Sequence, residues 1–286
     1  GSLQFVNPLF ASVNDADVDV TRLVYSGLMR YGKNQAHVPD LAAEYTVSED
    51  KKTYIISLRK DVFWHDGEPF TARDVEFTFS LLQDPQVNSP LLLSFQNAVF
   101  EFIDDHTVQF TLPEPYEPFL ASLTVGILPE HIWLDIPVEQ LRLTNTNLRP
   151  VGTGPFMFEE LAKDETGFVF RYALKRFEKY YDEPAFIESF VFRFFAEYES
   201  ELGAIHALRQ QKVDGVHFIP SHLREQVKRK HIVIHTLQLP QYTALFINQK
   251  GNAVLQKENT RTALAYALDK ERILRESLNN EGEVIY

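Results

Sequence analysis

Apolar residues recur at helical spacing near the start of the chain. Val20, Leu23, Val24 and Leu28 share one face of a helix predicted over about Asp17 to Leu28, which Asp17 or Asp19 is placed to cap. Ahead of it run Asn7-Pro8-Leu9-Phe10 and a polar loop from Ser12 to Asp17, and Gly32-Lys33-Asn34 follows as a turn. Between Thr53 and Arg59 the period changes to two. There Tyr54, Ile56 and Leu58 alternate with other residues, as in a strand with one buried face. Asp66-Gly67 marks a tight turn. Thr71-Ala72-Arg73-Asp74 has the spacing of a capping box, with Asp in place of Glu, and opens a helix through Val75, Phe79 and Leu82 that Asp84-Pro85 ends. A hairpin is predicted from Ala98 to Ile103 and from Thr107 to Leu112, and the prolines of Pro113 to Pro118 form a stiff connector.

From Val151 the predicted strands lengthen: Phe156 to Leu161, Phe168 to Leu174 and Phe190 to Phe195. The last is apolar on both sides, with Phe190, Phe192 and Phe194 against Val191 and Phe195, which predicts a central strand covered on both faces. Helices at about Glu199 to Gln211 and His222 to Lys230 then alternate with short strands at Gly215 to Ile219 and Ile232 to Leu237, the rhythm of an α/β lobe. A long helix from about Thr260 to Leu278, with Leu264, Leu268 and Ile273 inward, introduces a domain for which few residues remain.

The 286 residues are enough for about two domains. With 44% hydrophobic and 24% charged residues, a disordered chain is excluded. A net charge of −12 argues against a basic nucleic-acid footprint, and the absence of Cys removes disulfides, thiolate zinc sites and a Cys nucleophile together. No apolar run is long enough to span a bilayer. The chain opens on Gly1-Ser2 without Met, which reads as a cleavage scar, so an export signal or lipid anchor is expected to have been removed.

Candidate chemistry is sparse. His231 and His235 flank Ile232-Val233-Ile234, whose β-branched run predicts a strand, and four residues of strand put the rings ~13 Å apart, too far for one metal. His65-Asp66-Gly67 reads more simply as a turn than as a His-carboxylate pair. Gly152-Thr153-Gly154 fails as a phosphate loop, because Pro155 and a strand follow it, and fits a bent backbone crossing between lobes. No Gly-x-Ser-x-Gly elbow is present. The residues alone describe an acidic, multi-lobed α/β protein with no visible catalytic set, and no cofactor or metal is expected.

Ordered segments carry a resemblance. Asn7-Pro8-Leu9-Phe10, Val24-Tyr25-Ser26-Gly27-Leu28 and Pro39-Asp40-Leu41-Ala42 come first. Then follow Phe63-Trp64-His65-Asp66-Gly67-Glu68-Pro69-Phe70-Thr71-Ala72-Arg73-Asp74-Val75, Ile127-Leu128-Pro129-Glu130-His131-Ile132 and Pro150-Val151-Gly152-Thr153-Gly154-Pro155-Phe156. Phe246-Ile247-Asn248 and Arg261-Thr262-Ala263-Leu264-Ala265-Tyr266-Ala267-Leu268-Asp269-Lys270 close the series. From about Asn7 to Leu274 the chain resembles the extracytoplasmic solute-binding proteins of family 5, which include the dipeptide-, oligopeptide- and nickel-binding components of ABC importers.

That resemblance implies a periplasmic-binding-protein-like fold (type II, cluster C) in which two lobes close on a ligand. Lobe I would comprise 1–32 with 150–240, an α+β subdomain of 33–149 would decorate it, and a lobe II beginning at 241 would be mostly missing. It further implies a non-enzymatic, periplasmic or extracellular binding protein, lipid-anchored in its full length, that delivers peptides or similar polar solutes to a membrane permease, with no nucleic-acid partner. The alternative is the ligand-sensing module of a cytoplasmic transcription regulator related to the family. The implied ligand-facing residues are Ser12, Val13, Asn14 and Asp15 in the loop after the Asn-Pro motif, Arg149 before the glycine crossing, and Tyr242, Thr243 and Phe246 at the entry to lobe II.

Overall fold

The computed structural model describes residues 3–11, 14–197, 203–236 and 243–285. Their contacts form two units, Gly1–Ala204 and Ile205–Tyr286. In the first, helix α1 (Asp15–Val24) starts where the Asn14 side chain accepts from Ala16 N and buries Val20 and Val24. It is shorter than the predicted helix, because Tyr25 turns to extended backbone and Leu28 is buried from the segment beyond.

Strands β1 (Met29–Tyr31) and β2 (His37–Pro39) form a small antiparallel ribbon. Strands β3 (Ala42–Val47), β4 (Thr53–Leu58), β5 (Val99–Asp104) and β6 (Thr107–Thr111) form an antiparallel sheet in the order β3-β4-β6-β5. Helix α2 (Ala72–Gln83) covers it, pressing Phe79 against Phe95, Phe100 and Phe110 at ring-centroid distances of 5.1, 6.0 and 4.9 Å. Its start is fixed as the Thr71-Asp74 spacing predicts: Asp74 Oδ2 accepts from Thr71 N (2.9 Å), and Oδ1 accepts from Glu130 N (2.9 Å).

Strands β7 (Phe156–Lys163), β8 (Val169–Arg176) and β9 (Ser189–Arg193) make a third antiparallel sheet, order β7-β8-β9. Here the expectation for Phe190 to Phe195 is corrected. Among the described residues β9 pairs only with β8 and stands at the edge of the sheet, with Phe190 36% and Val191 42% exposed, while Phe192 and Phe194 pack on the core. Two-sided apolarity reports covering by something but does not name the neighbour.

The second unit holds α6 (Ala204–Arg209), a 3₁₀ turn at Ser221–Leu223, α7 (Arg224–Val227), α8 (Ala253–Gln256), α9 (Glu258–Ala267) and α10 (Lys270–Glu276). Its buried cluster is small: Ile205, Leu208, Leu223 and Val227, with Val213, Val216, Ile219 and Ile232 packed against it. Arg224 grips Glu281 by its two terminal guanidinium nitrogens, at 2.6 and 3.1 Å. Residues 215–219 and 232–236 form no strand, since β-branched residues make one only where a ladder partner takes their backbone groups; Leu237 and residues 199–202 of the expected helix lie outside the described residues. The long terminal helix is broken at Leu268, whose backbone is extended, and Asp269 caps α10 by accepting from Arg272 N (2.9 Å). Leu264, Leu268 and Ile273, expected inward, are exposed.

Candidate functional site

The Asn7-Pro8 turn is held from inside. Asn7 is fully buried, accepts from Leu9 N through Oδ1 (2.9 Å) and donates through Nδ2 to Asn147 Oδ1 (2.9 Å). Asn147 in turn donates to the Leu141 carbonyl (2.7 Å), and its own carbonyl accepts from Val6 N (2.8 Å). Two distant segments are thereby fastened together: the one leading to Asn14 and Asp15, and the one leading to Arg149. Asn14 is spent on the cap of α1 and Asp15 is the exposed first residue of that helix. Arg149 is exposed just beyond the 3₁₀ turn Asn145–Leu148, and its guanidinium has no hydrogen bond or ion pair among the described residues. In the second unit Thr243 and Phe246 are exposed, Phe246 at 86%. Ser12, Val13 and Tyr242 lie outside the described residues.

Asn14, Asp15 and Arg149 do not line the open pocket beside α1 in the first unit. That pocket, of about 430 Å³, is walled by Val18, Thr21 and Arg22 of α1 with Tyr25 just beyond it, by Leu91, Ser94 and Phe95, and by Ala121, Ser122 and Thr124 to Gly126, with Met29 and Arg30 at its side. Its walls combine apolar side chains with hydroxyls, the ion-paired Arg30 and Asp40, and Arg22, which has no partner among the described residues; this is the composition of a site for a small solute with polar groups. The apolar periodicity of α1 marks its core face, whereas Val18 and Arg22 form an i,i+4 pair that lines the pocket. That pair is the local signal of the pocket in the sequence.

The wall is braced by a polar cluster of sequence-distant groups. Asp40, buried, accepts from the Tyr181 hydroxyl (2.7 Å), which also lies 2.8 Å from Ser26 Oγ. Arg30 pairs with Asp182 at 2.6 Å, and the Arg59 guanidinium lies 4.9 Å from the Tyr181 ring centre. Burial raises the Asp40 carboxyl above the usual carboxylate range, against the Tyr181 hydrogen bond and Arg30, which lower it. Burial likewise holds the Tyr181 phenol far above its ordinary value.

The glycine crossing is scaffold. Gly152 N donates to His65 Nδ1 (3.1 Å), so the proton sits on Nε2, which donates to the Gly154 carbonyl (3.0 Å). Gly154 N bonds Val24 O at the end of α1 (2.8 Å). Among the described residues no group of three or more His, Asp or Glu is arranged to hold a metal, and no helix is long and apolar enough to cross a membrane.

Residues 36–286 match the family model described as bacterial extracellular solute-binding proteins, family 5 middle. The chain is 28% identical to the dipeptide-binding protein of Escherichia coli, the match covering 99% of this chain and 55% of that protein. It is 25% identical to the oligopeptide-binding protein AppA of Bacillus subtilis, over 100% of this chain and 52% of that protein. Its fold is similar to that of NikZ from Campylobacter jejuni in complex with Ni(L-His), with a TM-score of 0.81 and 30% identity over 100% of this chain and 55% of NikZ. The chain thus spans about half the length of each of these relatives, 52 to 55%.

Proposed function

Because the chain belongs to family 5 of the bacterial extracellular solute-binding proteins, we propose that it supplies one side of the solute-binding cleft of an ABC importer component. That component captures peptides or similar small polar solutes outside the cytoplasmic membrane and passes them to a permease. The observation that carries this reading is the pocket of about 430 Å³ beside α1, apolar in its walls, rimmed by hydroxyls and carrying Arg22, which has no partner among the described residues. Relatives that bind dipeptides, oligopeptides and a nickel-histidine complex support a small polar ligand and a role without chemistry. The transcription-regulator alternative has no support in these matches.

Several finer points stand with the proposal. The division into lobe I (1–32 with 150–240), a decorating subdomain (33–149) and the opening of lobe II (241–286) is supported by the sheets, since β2 to β6 fall inside 33–149 and β7 to β9 inside 150–240. Ser12, Val13, Asn14, Asp15, Arg149, Tyr242, Thr243 and Phe246 are proposed as ligand-facing rim, with Arg22, Thr21 and Tyr25 added from the cavity. A lipid anchor ahead of the first residue would hold the protein at the membrane. Capture would come from closure of two lobes, the closed state being stabilised by ligand contacts from both. One side alone therefore binds weakly.

A heteronuclear NMR titration of this chain with dialanine, a tetrapeptide and the nickel-histidine complex reads such weak binding. Shifts concentrated at residues 18–25, 91–95 and 121–126 are expected with at least one of them. No response to any, or responses confined to other surfaces, would overturn the assignment.

A further inference from the structure

The chain contains two Asp-Gly steps, Asp66-Gly67 and Asp214-Gly215. Such a step is chemically labile. The backbone nitrogen of the glycine can attack the aspartyl Cγ, expelling one water and closing a five-membered succinimide. Hydrolysis then returns that water at either carbonyl, giving Asp or its isomer isoaspartate, with no net change in composition and no redox step. The reaction needs a glycine N–H free to lose its proton and an aspartyl carboxyl free to rotate onto it.

The structure treats the two steps in opposite ways. At the first, Gly67 N is held by the Trp64 carbonyl (2.9 Å) and the Asp66 carboxylate is held twice, by Glu68 N at Oδ1 (3.2 Å) and by His131 Nε2 at Oδ2 (2.9 Å). At the second, Asp214 and Gly215 are both exposed. Among the described residues neither the Asp214 carboxylate nor Gly215 N has a hydrogen-bond partner, and a Cβ built on Gly215 would meet nothing within 4 Å.

We propose that Asp214 is a covalent modification site, the position where this protein converts to isoaspartate, and hence a substrate for enzymes that transfer a methyl group from a methylsulfonium donor, released as its thioether, to the isoaspartyl carboxylate. The isomer places an extra backbone methylene between Val213 and Val216, both of which pack on the small cluster of Ile205, Leu208, Leu223 and Val227. Ageing at this step therefore acts on the core of the second unit, whereas the signature turn at Asp66 is protected by its own hydrogen bonds.

The test is to incubate the folded protein at neutral pH and physiological temperature in heavy-oxygen water, digest it with trypsin and compare the peptides Val213 to Arg224 and Asp61 to Arg73. The Asp214 peptide is expected to take up heavy oxygen and split into two species of equal mass, about ten-fold faster than the Asp66 peptide, because Gly67 must first break its hydrogen bond. The methyltransferase should label only the former, Asp214→Glu should abolish the label, and in concentrated guanidinium the two rates should converge. Equal rates in the folded protein, or a difference that persists unchanged when it is unfolded, would overturn the proposal.

Discussion

His65 donates from Nε2 to the carbonyl of Gly154, 3.0 Å away and 89 residues later in the chain. With Nδ1 accepting from Gly152 N, the ring spans both glycines of the crossing as a neutral, fully satisfied group. Burial drives its pKa down to about 4, from an ordinary 6.5, against the Gly154 bond and Asp66, which raise it.

Between those two values the unfolded chain binds a proton that the folded chain refuses, so stability must fall as pH drops from 6.5 toward 4, by on the order of 3 kcal/mol in full. Asp17, Asp40 and Asp74, raised by burial, act in the opposite sense, their contribution being complete below 3.8 and lost as pH rises through their raised values. His65→Gln isolates the histidine. Urea midpoints of the wild type should decline more steeply across the window than those of the variant, and parallel profiles would remove His65 as the cause.

Glycine is obligatory at the crossing for want of space. A Cβ on Gly152 would sit 1.9 Å from Val24 O, and one on Gly154 would sit 2.6 Å from Leu23 O. Gly152→Ala is expected to cost about 3 kcal/mol or more, since only backbone could move aside. Gly215→Ala, with nothing within 4 Å, should stay within about 0.5 kcal/mol of wild type. Chemical denaturation of both variants checks the contrast, which equal losses would refute.

Tyr181→Phe keeps the ring beneath Arg59 and removes the hydroxyl that caps Asp40. Leaving that buried acceptor short of a donor should cost about 1 to 3 kcal/mol, with Asp40 moving further toward the protonated form. Calorimetric melting at neutral pH and at pH near 5 distinguishes the effects: the deficit should shrink at the lower pH, and a deficit independent of pH would point to packing instead.

Arg22→Ala and Arg149→Ala address recognition. If a ligand carboxylate is met from this side of the cleft, the responsible arginine should weaken dialanine binding about ten-fold or more, as a charged hydrogen bond of about 1.5 to 3 kcal/mol requires. Arg22 is expected to dominate because it lines the cavity, whereas Arg149 does not. Unchanged titrations for both variants would place the carboxylate elsewhere.

Legibility followed locality. The Thr71-Asp74 box, β4 and the β5-β6 hairpin are set by residues within a few positions of one another, and their predicted bounds nearly coincide with those observed. Placement of β9 at an edge depends on which strands lie beside it, and that information is not in Phe190 to Phe195. The same reason explains why 215–219 and 232–236 carry strand-forming residues without a strand. The motifs that marked the family proved to be joints: Trp64 to Gly67 with the glycine crossing, and Asn7 with Asn147. The pocket is less legible, because Val18, Thr21 and Arg22 share a helix with core positions and nothing local in the chain shows that Leu91, Ser94 and residues 121–126 fold beside them.

The Asn7-Asn147 amide pair has a consequence for how the protein is made. Closing a loop of 140 residues is slow for a chain to find, and synthesis runs from the N-terminus at about 5–20 residues per second, so Asn7 exists for ~10 s before its partner does. Throughout that interval the segment carrying Leu3, Val6 and Leu9, buried in the finished protein, lacks the Asn147 carbonyl that takes up Val6 N and the Asn147 amide that meets Asn7. A chaperone or export factor that recognises extended apolar segments is thus offered residues 3–9 until residue 147 has been made.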